Sequence, residues 1–259
     1  MSDEHPGAGD LRPLADFLGG GQALTVEERA ERRELIAASM REGECATCGG
    51  ARYVRRGEAL VPCAGCLAEI PLDARLRRSG FGGAKPFSEW RRGSATDAIM
   101  LACAALVRRE RWCVFARSGV GSGKTHAAMS AGRAWIERDG SARFWSVPEL
   151  VQRMRDTHRE DSPLELTDFI ARNVTYAELL VLDDMGADRV TPFAAEQIYR
   201  IVNAYYNARE EGRFLIVTTN VAPGSEEEAE RFSARVLDRL SPGEVIVRDA
   251  PSRRKEFDA

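Results

Sequence analysis

No apolar run in this 259-residue sequence approaches the ~20 residues that a membrane-spanning helix requires, which removes helical membrane spans from the reading. The first ten residues are polar and acidic and lack the apolar core of a secretory signal. A cytoplasmic protein with no membrane partner is therefore expected. Lysine is scarce as well: Lys85, Lys124 and Lys255 are the only ones, so arginine supplies 34 of the 37 basic residues. Such a bias reflects genomic composition and carries no mechanism. Nor does one sign of charge dominate, since the formal net charge is only −3. The balance hides a local asymmetry, because Arg75, Arg77, Arg78, Lys85, Arg91, Arg92, Arg108, Arg109 and Arg111 cluster with few acids between them. A nucleic-acid surface and an ordinary solvated face both fit such a run.

Hydrophobic content of 44% and charged content of 30% are ordinary for a globular chain with room for one sizeable core and a small module. Residues 1–24, rich in Gly, Pro and Asp, read as a flexible tail. Thr25 and Glu28 then form a capping-box pair ahead of a charged helix reaching about Arg41. The module that follows spans 25–70 with that helix. It carries Cys45 and Cys48, then fourteen intervening residues, then Cys63 and Cys66. Two C-x-x-C knuckles can turn four thiolates toward one point, which fits a closed, structural tetrahedral Zn²⁺ site. Two disulfides are the alternative, better suited to a secreted chain. Cys103 and Cys113 lie on apolar stretches and read as core residues. Residues 71–97 read as a basic linker containing Gly80, Gly82 and Gly83.

From residue 98 the pattern alternates helix and strand. Helices are expected over 98–109, 125–138, 149–159, 163–172, 193–211 and 226–240, and strands over 142–147, 179–184, 214–219 and 245–247. Short apolar strands in such alternation imply an α/β fold, a mainly parallel sheet covered by helices on both faces. Its ligands bind beyond the carboxyl ends of the strands. At one such end stands the strand-turn-helix stretch Cys113 to His126, with Ser118, Gly119, Val120, Gly121, Ser122, Gly123, Lys124 and Thr125 forming a phosphate-binding loop. Its backbone N–H groups and the helix N-terminus would cradle phosphate oxygens of a nucleoside triphosphate, Lys124 would reach the β/γ-phosphates, and Thr125 would ligate Mg²⁺. Ser118 occupies the place of the first glycine of the pattern.

A second strand, Leu179 to Leu182, runs into Asp183 and Asp184. The first acid is expected to hold Mg²⁺ opposite Thr125, and the second to polarise an attacking water. Asn220, at the end of the strand starting at Phe214, either orients that water or caps a turn. Arg235 and Arg239 fall four apart on one helix. They are either solvated surface residues or cations presented to a neighbour's γ-phosphate, which would demand self-association through the ATP sites.

Lys124-Thr125-His126, Phe144 to Leu150, Leu182 to Gly186, Thr218-Thr219-Asn220 and Arg235 to Arg239, in that order, resemble the AAA+ ATPase domain of the DnaC/DnaI helicase loaders and the related IstB transposition helpers. The resemblance covers roughly residues 85–255. It implies an AAA+ P-loop domain over 98–259 with the phosphate-loop strand central, His126 among the nucleotide-binding residues, Asn220 as sensor 1, and Arg239 as arginine finger with Arg235 beside it. It further makes Arg254 a second-sensor candidate and implies that the C-terminal lid of other AAA+ proteins is absent. The four-cysteine module is similar to that of DnaI-type loaders, where it engages the replicative helicase. Helical material between Pro148 and Arg172 resembles an insertion that lines a channel for single-stranded DNA, with Arg153, Arg155, His158 and Arg159 either at phosphates or on a plain exposed face. The resemblance thus implies an ATPase that loads a hexameric replicative helicase onto single-stranded DNA. The alternatives are an IstB-like transposition helper and a nucleotide-dependent adaptor with little turnover.

Overall fold

The computed structural model describes residues 53–56, 59–62, 71–90, 97–157, 165–187 and 191–248. The chain divides into two compact units, Met1–Pro71 and Leu72–Ala259. In the first, β1 (Tyr53–Arg56) and β2 (Ala59–Pro62) form an antiparallel hairpin with Arg56 opposite Ala59. This hairpin occupies the sequence between the two C-x-x-C pairs. The four cysteines, and the tail over 1–24 and the helix up to Arg41 that the sequence leads one to expect, lie outside the described residues.

The second unit is built on a five-stranded sheet: β3 (Cys113–Ser118), β4 (Ala142–Ser146), β5 (Leu179–Asp183), β6 (Phe214–Thr219) and β7 (Glu244–Val247). Its order is β4-β5-β6-β3-β7, and every neighbouring pair is parallel. β3, β5 and β6 are buried along their whole length, as strands covered on both faces must be. Alternation divides them cleanly. Val114, Ala116, Leu179, Val181 and Ile216 join one core with residues of α2 (Asp97–Val107) and α3 (Lys124–Glu137). Phe115, Leu180, Leu182, Leu215 and Val217, also buried, take the intervening positions and face the opposite side. The phosphate-loop strand β3 is interior, but the middle place belongs to β6. Among the described residues the short β7 is the only strand beyond β3, so the central position implied for β3 is corrected by one.

The linker expectation for 71–97 is also corrected. α1 (Leu72–Arg78) and the turn after it belong to the sheet unit, with Leu76 and Phe81 buried in its core. Phe81 stacks edge-on against Phe144 of β4, and the Phe144 N–H donates to the Ser79 carbonyl at 2.9 Å, so this segment covers part of the β4 edge. Much of the basic cluster serves the fold as well. Arg75 pairs with Asp139 at 3.1 Å, Arg108 with Glu110 at 2.6 Å, Arg111 donates to the Cys113 carbonyl, and Arg109 lies over the Trp135 ring. Buried Cys103 and Cys113 are free thiols, and burial pushes the Cys103 thiol up to about 12, so both stay protonated core residues.

On the other face lie α4 (Val147–Asp156), α5 (Leu166–Asn173), α6 (Pro192–Asn207), α7 (Glu226–Arg231) and α8 (Ala234–Leu240). The single helix expected over 226–240 is two. Ser225 and Ser233 each accept a hydrogen bond from the N–H three residues on, capping a separate helix, and Phe232 between the two helices is buried near Phe115. Similarly, α6 stops at Asn207 and a 3-10 turn, Arg209–Glu211, completes the stretch expected as helix. No helix among the described residues is long and apolar enough to cross a membrane.

Candidate nucleotide-binding site

Parallel pairing brings the carboxyl ends of β3, β5 and β6 to one edge of the sheet, and the candidate residues follow those ends. Gly121 and Gly123 have φ of 78° and 97°, a left-handed backbone that few side chains tolerate, and they curl the loop between β3 and α3. α3 begins at Lys124 with no side-chain cap on Gly123, so its first-turn N–H groups are not satisfied by a capping side chain. That is the arrangement in which a helix N-terminus receives an anion.

Lys124 is 6% exposed and its ammonium is the hub of the loop. Nζ donates to the carbonyls of Ser118 and Gly119 and to Asn220 Oδ1, each at 2.8 Å. Asn220 in turn donates from Nδ2 to Asp184 Oδ1 at 2.8 Å. A continuous path thus links phosphate-loop lysine, asparagine and the second acid. Asp184 has φ of 58°, an uncommon conformation for a side chain other than glycine, asparagine or aspartate. It is held there by its own N–H donating to Thr218 Oγ1 at 3.0 Å, while the Met185 N–H donates to the Thr218 carbonyl.

The first acid is placed differently. Asp183 is 7% exposed and accepts from Thr125 Oγ1 at 3.0 and 3.1 Å and from Thr218 Oγ1 at 2.6 Å. Burial raises its carboxyl above the usual range, and the two hydroxyls and the Lys124 charge partly offset this while the Asp184 charge adds to it. A hydroxyl and a carboxylate meeting at the foot of the phosphate loop are the oxygen donors a hard divalent cation takes, so Thr125 and Asp183 fit Mg²⁺. Bound there, the ion would neutralise phosphate charge.

Thr218 was not assigned a role by sequence reasoning, although it stands in the Thr218-Thr219-Asn220 stretch. It touches both acids, and its signal was a hydroxyl in an otherwise apolar strand. Ser118 and Ser122, both buried, share a short hydroxyl hydrogen bond across the loop. Val120 is 58% exposed at the tip. His126 stacks edge-on against Trp90 with centroids 5.3 Å apart. Arg235 and Arg239 sit on α8 without a hydrogen bond or ion pair to the loop of their own chain, whereas His158, Arg159 and Arg254 lie outside the described residues. Arg153 approaches Glu149, and Arg155 donates to Thr191 Oγ1 at 3.3 Å.

Known proteins share this fold. The solved DnaC helicase loader superposes with a TM-score of 0.52 at 18% identity, covering 65% of this chain and 98% of that one. AMPPCP-bound DnaA from Aquifex aeolicus gives 0.54 at 19% identity over 69% of this chain and 57% of that one. At such identities the likeness establishes the fold alone, a parallel α/β sheet with its helices. In sequence, the chromosomal replication initiator protein DnaA of Thermosipho melanesiensis is 23% identical over 146 residues, 56% of this chain but only 31% of that protein's length. Residues 87–255 match the family described as IstB-like ATP binding protein, and the chain belongs to that family.

Proposed function

We propose that the protein hydrolyses ATP at sites shared between copies of itself, engages a hexameric replicative helicase through its N-terminal unit, and helps place that helicase on single-stranded DNA in the cytoplasm. The observation that carries this reading is the Lys124–Asn220–Asp184 path beside the Thr125–Asp183 pair. It gives separate groups for phosphate charge, for orientation and for proton abstraction. Lys124 would exchange its loop carbonyls for β/γ-phosphate oxygens. Asp184 and Asn220 would then be released to hold the attacking water, and Asp184 would take its proton. Arg239, offered by a second copy, would stabilise charge developing on the γ-phosphate. The cysteine module, holding Zn²⁺, and residues 153–159, near DNA phosphates, complete the reading.

Steady-state ATP hydrolysis with and without single-stranded DNA, and with the host's replicative helicase, tests it. Asp184→Asn should lower kcat by about 10²–10⁴-fold, the usual worth of a general base, while ATP still binds. Robust hydrolysis in that variant would remove Asp184 from the role. Negligible wild-type turnover with intact binding would support an adaptor instead.

A second reading, a helper ATPase for DNA transposition, is favoured by the description of the matched family. Stimulation by duplex DNA and a transposase, without any effect of helicase, would select it.

A further inference from the structure

α6 and α8 present a ladder in which guanidinium groups and tyrosine rings alternate. Arg235 Cζ lies 5.7 Å from the Tyr199 centroid, Arg239 Cζ lies 5.1 Å from Tyr199 and 5.5 Å from Tyr206, and Arg209 Cζ lies 4.4 Å from Tyr206. Tyr206 also meets Trp112 edge-on, which ties the ladder to the entry of β3. Arg239 is fixed further by its Nε donating to Asn203 Oδ1 at 2.5 Å and its Nη1 to the Arg235 carbonyl at 3.1 Å. Asn203 is only 8% exposed, and a buried amide is costly unless bonded. Its oxygen is spent on orienting this guanidinium. Among the described residues, Arg239 Nη2 donates to nothing, and the exposed guanidinium of Arg235 makes no hydrogen bond or ion pair.

We infer that Tyr199, Asn203 and Tyr206 form a cradle holding Arg239, with Arg235 beside it, as a two-guanidinium clamp for the triphosphate of a nucleotide bound to a second copy of the chain. This rests on the intersubunit reading above and adds the residues that make it work. Long arginine side chains lose conformational freedom when they grip an anion. Stacking between rings and the Asn203 bond impose that order before the anion arrives, so the outward N–H groups meet it already aligned.

Interleaved arginine and tyrosine also serve single-stranded nucleic acid, where bases stack on open rings. Here the rings are already engaged by guanidiniums: Tyr199 by Arg235 and Arg239, and Tyr206 by Arg239 and Arg209. Glu210, 3.5 Å from Arg209, and Asp238, 3.7 Å from Arg239, place negative charge along the same face. A compact triphosphate reaching two guanidiniums fits better than a continuous polyanion.

Mixed assemblies test the clamp. An Arg239→Ala acceptor keeps its own nucleotide site, and a Lys124→Ala donor keeps its arginines but cannot bind ATP well. Mixing them should restore hydrolysis. A Lys124→Ala donor that also carries Tyr199→Leu or Asn203→Ala should restore at least about tenfold less, since misplacing a reacting group by about 1 Å can cost a hundredfold. In protein dilute enough to be monomeric, where a chain's own loop alone holds nucleotide and the clamp has no neighbour to reach, the single variants Tyr199→Leu and Asn203→Ala should bind a fluorescent ATP analogue like wild type, which separates lost positioning from lost folding; the Tyr199 change guards against unfolding by the buried Asn203 change. Full rescue by both cradle-disrupted donors would overturn the cradle while leaving the intersubunit site intact. No rescue by Lys124→Ala alone would overturn the intersubunit reading and the clamp with it. Unchanged rescue together with weakened single-strand binding by Tyr199→Leu would replace the clamp with a nucleic-acid surface.

Discussion

Ser118 stands where the phosphate-loop pattern has its first glycine, and its backbone explains why a side chain is accepted there. Among the described residues other than glycine, positive φ occurs only at Arg109, Asp139 and Asp184, so position 118 needs no left-handed conformation. Its hydroxyl bonds Ser122, which in turn lies 3.4 Å from the Lys124 ammonium. Ser118→Gly should therefore destabilise the chain by about 1–2 kcal/mol, a lost buried hydrogen bond plus added backbone freedom, as read by denaturant unfolding. Lys124→Ala should instead act on the ligand: losing a charge-assisted contact of about 1.5–3 kcal/mol raises the Kd for ATP by roughly 10–100-fold, measurable by titration calorimetry. If Ser118→Gly weakened ATP binding as much as Lys124→Ala does, the serine pair would belong to the phosphate contacts and not to the brace. Residue identities of this kind were legible where chemistry demands a particular group, as at Lys124, Thr125 and the two acids. Thr218, Asn203 and the two tyrosines were not, because each acts by holding another side chain, and that pairing exists only once distant strands and helices meet.

Between elements, one buried cation does much of the joining. Arg117 is 3% exposed, the second-last residue of β3 before the loop. It pairs with Glu244 of β7 at 2.8 Å and with Glu228 of α7, and donates to the Val221 carbonyl just beyond Asn220. Removing one partner of a buried ion pair is costly because it strands the other, so Arg117→Met should lose about 3 kcal/mol by denaturant unfolding. The same cluster gives a pH dependence with a defined sign. Partial burial pushes the Glu228 carboxyl up, but hydrogen bonds from the Gly224 N–H and Arg117, with the charge of Arg117, outweigh it and leave the group below its usual value. A carboxyl lowered in the folded state adds stability above its unfolded pKa of about 4.3, and that stability is lost as pH falls through the folded value. Glu228→Gln should flatten this part of the acid-unfolding curve, and an unchanged curve would remove the carboxyl from the brace. Strands such as Phe214–Thr219 were legible because continuous apolar runs between turn residues have few other solutions. The break at Phe232-Ser233 was not, since a serine cap and a buried phenylalanine also fit inside a continuous helix until packing decides. Residues 71–90 were misread for a related reason: glycines and arginines look like a linker, while Leu76 and Phe81, the two side chains that anchor the segment, leave almost no periodic trace.

At the scale of the whole molecule, the two units differ in how they can be stable. Leu72–Ala259 encloses a sheet buried on both faces and has core enough to fold by apolar burial. The described residues of Met1–Pro71 form a hairpin of two four-residue strands, and an isolated two-stranded ribbon is marginal in water. A unit of that size generally draws on a staple, and on the reading proposed above the cysteine pairs flanking the hairpin in sequence would supply the ligands for a metal staple, whose binding energy would then be folding energy. Purified full-length protein should accordingly carry roughly one zinc per chain by elemental analysis, four thiolates closing a single tetrahedral site. A strong chelator should expose the N-terminal unit to limited proteolysis and abolish helicase binding, while ATP affinity and the melting of the sheet unit stay as they were. Cys45→Ser should reproduce the chelator's effect without any chelator present. Zinc-free protein that still resists proteolysis and binds helicase would show that this unit folds by another route, and the knuckle pairs would then be read as disulfides, which a reductant would have to open.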